Sequence, residues 1–295
     1  MSSNSKFLLV AACMAVLTTG ARSAEHRLIY TPFDVPGSTL TNAQGINAGG
    51  EIVGIYNDSG SPSRTHGFVW SGGVFQSIDV PGAKATNARG IGPGGDIVGN
   101  YQLPSDTGGV PSHGFHLSNQ GVFSAADYPG HLNTIPQRIL PDGTILGCYH
   151  DNDLMGSMHG MMMGRSGNEE LAGGMSMNNG ATPNGKLIVG LFTDMDNKPK
   201  GYLIDRGSFQ AFEVPGALST AGWDINPAGV AVGVFRDGTG FHGFWYDGRN
   251  FGSVDVPGAT ATRVFGINAA GDMVGAYVDS SSRTHGFLAQ WTTIQ

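Results

Sequence analysis

Five His-Gly pairs recur along the chain, at His66, His113, His159, His242 and His285, with Lys200-Gly201 in a sixth place. Five carboxylates each stand two residues before a Pro-Gly, at Asp34, Asp79, Asp127, Glu213 and Asp255. Imidazoles suit transition metals, and a ring of carboxylates suits Ca²⁺. Their regular spacing argues for a plainer use: each imidazole is expected to bond to a neighbouring turn, and each acid to cap its own turn by accepting backbone N–H groups. Two further groups carry possible chemistry. Cys148 sits beside Tyr149 and His150, and eight of the 11 methionines fall between Met155 and Met195. Thioethers beside a histidine suit Cu(I), although Met161, Met162 and Met163 fill the places that Phe68, Val69 and Trp70 hold elsewhere, so apolar filling is the expected role. A buried, unreactive thiol is likewise expected for Cys148. No Gly-x-Ser-x-Gly elbow, His-Glu-x-x-His or phosphate loop is present.

What positions these residues is a repeat. The pattern Gly-Ile-Asn-x-x-Gly-x-Ile-Val-Gly aligns six units starting at Gly45, Gly90, Arg138, Gly180, Asp224 and Gly266, spaced by 45, 48, 42, 44 and 42 residues. Between the markers lie short alternating or apolar runs such as "EIVGIY", "HGFVW" and "FQSIDV", with no 3.6-residue period after the N-terminal segment. The 48 glycines fit a chain built of many tight turns. Four short strands per unit of about 45 residues make a β-propeller blade, so the expectation is an all-β, six-bladed propeller over residues 25–295. The last unit ends one strand short, and "RLIYTPFDVPG" precedes the first unit; that N-terminal strand is expected to complete the last blade and close the ring. The missing acid-x-Pro-Gly before the fourth unit, where "EELAGG" stands, leaves open whether that unit is a complete blade.

The stretches "GINAGGEIVGIY", "THGF" and "SIDVPGA" resemble the repeats of secreted bacterial HAF-repeat proteins, and the resemblance covers nearly the whole chain after residue 24. It implies an extracellular or cell-envelope propeller-like domain and no particular activity.

Because the repeated residues serve the frame, the informative positions are those where the repeat breaks. Arg138 and Asp224 replace the glycine that opens the inner strand, and the residues before that position include Arg89, Gln137, Trp223 and Phe265. Inner strands line a propeller's channel, so these side chains are expected to meet there as a polar cluster with an aromatic platform. The loops after the second strand also diverge in units three to five, bringing His150, Asp151, Asp153, Asp194, Asp196, Arg236 and Asp237 into view. That loop and the Pro-Gly turn are expected on one face of the ring, where a ligand would dock. The expected function is binding of a polar small molecule or glycan. The alternative is a hydrolase or lyase in which Asp224 or His150 is the general base and Arg138 or Arg236 stabilises negative charge. A protein scaffold or a Cu(I) protein stands as a further alternative.

Composition narrows the field. Charged residues are 13% of the chain, the net charge is −7, and no basic run exists, so nucleic acid is an unsuitable partner. Residues 1–24 read as an export signal: Lys6, then the apolar run from Phe7 to Gly20, too short to span a bilayer, with cleavage expected after Ala21 or Ala24. A lipid anchor on Cys13 is set aside because the apolar run continues past it. A secreted or periplasmic monomer with no cofactor, no metal and no transmembrane segment is the resulting expectation.

Overall fold

The computed structural model describes residues 25–107, 111–151, 158–164, 167–171 and 175–294. The proposed signal segment, Asp153 and Met155 lie outside the described residues. Alternating patterns become strands as expected: β2 (Leu40–Ile46), β3 (Ile52–Asn57), β4 (Thr65–Ser71) and β5 (Val74–Ile78) form one four-stranded antiparallel meander. Five more such sheets follow, whose first strands are β6 (Ala85–Ile91), β10 (Asn133–Ile139), β14 (Ser176–Ala181), β18 (Ser219–Ile225) and β22 (Ala261–Ile267). These six first strands touch their neighbours in a closed cycle and form the inner wall of a six-bladed propeller.

Ring closure follows the expectation from the chain ends. β1 (Glu25–Phe33) pairs antiparallel with β24 (Thr284–Ile294) and becomes the outermost strand of the sixth blade. The fourth unit is a complete blade, with β14 extended by β15 (Leu187–Thr193), β16 (Pro199–Asp205) and β17 (Ser208–Phe212). No helix among the described residues is long and apolar enough to cross a membrane.

The Ile-Val-Gly and His-Gly-Phe markers turn out to be two halves of one packing device. In the first blade Gly54 pairs with Phe68, and a Cβ at Gly54 would fall 2.1 Å from the Asn42 carbonyl oxygen and 2.8 Å from the Phe68 ring. Only glycine lets the ring lie over the strand. Phe115, Tyr202, Phe244 and Phe287 are equally buried in their blades, and Met161 takes the place in the third. Filling by methionine, as the repeat alignment implies, is what the third blade uses.

The recurring histidine stands at the start of the third strand of its blade, and His66, His242 and His285 each face two carboxylates. His66 Nδ1 lies 2.8 Å from Asp79 in the Pro-Gly turn and its Nε2 3.3 Å from Asp58 in the preceding loop. His285 repeats this with Asp34 and Asp279, and Lys200 stands between Asp194 and Glu213 in the fourth blade. The turn itself is capped differently from the expectation. The hydroxyl of Thr41, Thr86, Thr220 or Thr262 accepts the backbone N–H that follows the acid, and Asp34, Asp79 and Asp255 turn an oxygen to a histidine while Asp127 accepts the N–H of Gly114.

Candidate functional site

Each inner strand carries a β-bulge one residue before the repeat's glycine position, so that Gln44, Arg89, Gln137, Asn179, Trp223 and Phe265 are the extra residues. A bulge locally bends and re-aims a strand; here it turns carbonyl oxygens toward the axis, where the strands crowd. A Cβ at Gly90 would meet the Gln137 carbonyl oxygen at 2.3 Å, and one at Gly180 the Asp224 Cα at 2.6 Å. Four of these six positions therefore have no side chain, and the remaining two, Arg138 and Asp224, fill the axis.

Arg138 is 7% exposed and Asp224 6% exposed, and their side chains pair at 3.2 Å. Arg138 Nη1 donates to the carbonyls of Arg89 (3.1 Å) and Gln137 (2.7 Å). Its Nη2 donates to those of Gln44 (3.2 Å) and Phe265 (2.5 Å). Asp224 accepts the N–H of Ile225 and, from the sixth blade, that of Ile267. Burial raises the Asp224 pKa, with the Arg138 charge opposing it. The pair is thus a plug that ties the inner strands of blades one, two, three, five and six.

The plug lies near the turns that follow the inner strands, and the cavity above it on that face, floored by Arg138 and Asp224 and walled by residues such as Pro141, Pro183 and Pro227, measures ≈ 90 Å³. That is well under the roughly 300 Å³ at which small-molecule sites begin. The loops after the second strands and the Pro-Gly turns share the opposite face, as expected, so the axial pair and the divergent loops do not form one site. His150 ends β11 (Ile145–His150), four residues beyond Leu146, the partner of Arg138, and so stands about 13 Å along the strand. Of the candidate bases Asp224 and His150 and the candidate charge stabilisers Arg138 and Arg236, only Asp224 and Arg138 are brought together; His150 and Arg236 end the second strands of their blades.

The loop carboxylates serve their own loops. Asp151 faces His131 at 3.0 Å, and that bond holds its pKa down. Asp194 accepts from the N–H of Lys198 and pairs with Lys200 at 2.9 Å. Asp237 accepts from the N–H and hydroxyl of Thr239. These are turn builders spread over three blades.

The bulge side chains, on the loop-face side of the plug, are different. Trp223 and Phe265 meet edge to face at 4.9 Å. Arg89 Nε donates to Asn100 at 2.7 Å, and among the described residues its guanidinium forms no ion pair; burial pulls its pKa down, with Cys148 opposing. Gln137 is 1% and Asn179 0% exposed, yet among the described residues Gln137 Nε2 and Asn179 Oδ1 have no hydrogen-bond partner. Asn42 Oδ1, two residues before the bulge of the first blade, is a third such atom. Arg89, Gln137, Trp223 and Phe265 were legible as departures at or before the repeat's glycine; Asn179, which like Arg89 and Phe265 precedes a retained glycine, was missed because it brings neither a charge nor an aromatic ring to single it out.

The described methionines divide among several places: Met158, Met175 and Met177 gather around Cys148, and the others lie elsewhere. Met161 and Met163 pack between blades two and three, Met162 packs against the fourth, and Met195 is fully exposed. Met158 and Met177 are buried around Cys148, whose thiol lies 3.8 Å from the Met158 sulfur. Burial pushes the Cys148 pKa up to about 12. No group of three or more His, Cys, Asp or Glu with metal-site geometry exists among the described residues.

No family model matches the chain, and no curated protein is similar to it in sequence. Solved structures do resemble it. A putative TolB from Agrobacterium tumefaciens aligns with TM-score 0.60 at 12% identity, covering 92% of this chain and 99% of that one. A gluconolactonase from Xanthomonas campestris aligns at 0.54 and 14%, covering 86% and 88%. The SapL1 lectin in complex with alpha methyl fucoside aligns at 0.55 and 9%, covering 88% and 96%. At these identities the likeness carries the propeller fold alone.

Proposed function

We propose that this is an exported propeller that binds a small polar ligand of the saccharide class in the loop-face half of its channel. The observation that carries the reading is the pair of buried, unpartnered polar atoms Gln137 Nε2 and Asn179 Oδ1 in the same ring as the unpaired Arg89 guanidinium. A buried donor or acceptor left unsatisfied costs about 1–3 kcal/mol, so a donor, an acceptor and a cation kept in one ring favour a molecule that supplies the complementary groups. Trp223 and Phe265 add the apolar surface against which a sugar ring packs. The SapL1 structure holds a methyl fucoside on a similar fold, which agrees with this class of ligand. Export is supported by the apolar run from Phe7 to Gly20.

Catalysis has no comparable support, because Asp224 and Arg138 spend their polar atoms on each other and on backbone groups. The test is titration of the protein with a panel of methyl glycosides, read by tryptophan fluorescence. Saturable change that disappears in Trp223→Phe and weakens at least tenfold in Arg89→Gln is expected; no response to any glycoside would overturn the reading.

A further inference from the structure

Three repeat-breaking residues outside the channel ring meet in the cleft between the fifth and sixth blades. Arg263 stands on β22 where the other inner strands have Asn42, Asn87, Ile135, Met177 and Ala221. Arg236 ends β19 (Ala231–Arg236), and Phe241 begins β20 (Phe241–Tyr246) in the place of Thr65, Ser112, Met158, Pro199 and Thr284. The guanidinium carbon of Arg263 lies 4.2 Å from the centroid of the Phe241 ring, and that of Arg236 lies 5.8 Å from it. Phe241 is 37% exposed and walls a loop-face cavity of ≈ 260 Å³ with His242, Asp255 and Thr260; the two guanidinium groups stand by its ring and outside that lining.

Among the described residues, neither arginine forms an ion pair or a side-chain hydrogen bond. The two nearby carboxylates are already engaged: Asp237 by Thr239 and His242, Asp255 by His242 and Ser253. Two like charges held over one ring repel, and Arg263 is half-buried, where burial pulls its pKa down with nothing opposing. An oxyanion between or beside the two planar guanidinium forks would relieve both costs. Stacking on Phe241 holds the forks in place and presents an apolar face to whatever carries the anion.

We propose that this cleft binds the acidic group of an anionic saccharide, with Arg236 and Arg263 holding the oxyanion and Phe241 packing against the sugar ring. The site is separate from the channel ring and uses none of its residues. Calorimetric titration of the full protein with D-glucuronate, D-glucose and inorganic sulfate tests it. Glucuronate is expected to bind at least tenfold more tightly than either glucose or sulfate. Arg236→Gln and Arg263→Gln are each expected to weaken glucuronate binding about tenfold, as loss of a charge-assisted hydrogen bond does. Phe241→Ala is expected to erase the preference for glucuronate over sulfate, and Arg206→Gln, on an exposed hairpin of the fourth blade, to leave glucuronate binding unchanged. Equal binding of glucose and glucuronate, sulfate binding as tight as glucuronate, or unchanged affinity in both arginine variants would overturn the proposal. A loss in Arg89→Gln alone would place glucuronate in the channel and equally overturn it.

Discussion

Replacing Arg138 with methionine keeps much of the side chain's volume and removes its charge and every donor at the axis. Asp224 then stands 6% exposed without its cation, holding only the N–H groups of Ile225 and Ile267, while carbonyls from four blades lose their donor. Breaking a buried ion pair from one side costs about 3–5 kcal/mol, which lowers the melting temperature by roughly 10 °C in a domain of this size. Asp224→Asn should be milder, about 1–2 kcal/mol, because the guanidinium keeps its four carbonyl partners. The two losses should not add. In the double variant no buried charge is stranded, so the summed single costs should exceed the double cost by about 1–3 kcal/mol. Urea unfolding followed by circular dichroism measures all three. An Arg138→Met cost under about 1 kcal/mol, or strict additivity, would refute the plug.

The surface carboxylates give a pH prediction. The backbone N–H of Arg283, the Ser281 hydroxyl and His285 pull the Asp279 pKa from 3.8 to about 2, and Asp58 and Asp237 shift the same way. A depressed carboxylate stabilises the fold above its unfolded pKa, so the urea midpoint should fall as pH drops from about 4 toward 2, and less steeply in Asp279→Asn. Asp224, shifted upward, works in the opposite direction. Cys148, with its thiol pushed up to about 12 and 0% exposed, should resist dithionitrobenzoate at pH 8 until urea unfolds the chain; labelling of the native protein within minutes would contradict its place in the core.

Much of the frame was written in the sequence because it is periodic. Gly54 and Phe68 recur together in most blades since each pair is one packing unit, and the short sixth unit announced that β1 would complete it. The role of Arg138 and Asp224 was not legible, although their positions were. The substitution of glycine reads the same whether a side chain serves a ligand or the backbone, and only the bulge, invisible in the residue pattern, turns carbonyls onto the axis and makes a cation there structural. Likewise the sequence placed His150 and Asp224 in one candidate site because both break the repeat. Strand direction separates them, since one lies near the turn that follows an inner strand and the other at the loop end of a second strand. Arg263 and Phe241 escaped notice because each is an ordinary strand residue by itself, and their meeting depends on blade six facing blade five.

The most direct test of the proposed function is a crystal structure of the protein with the best-binding methyl glycoside. The ligand should lie on the loop-face side of the plug, with oxygens within about 3 Å of Gln137 Nε2 and the Arg89 guanidinium and a hydroxyl donating to Asn179 Oδ1. Electron density for that glycoside only outside the channel, with those atoms still unpartnered, would contradict it.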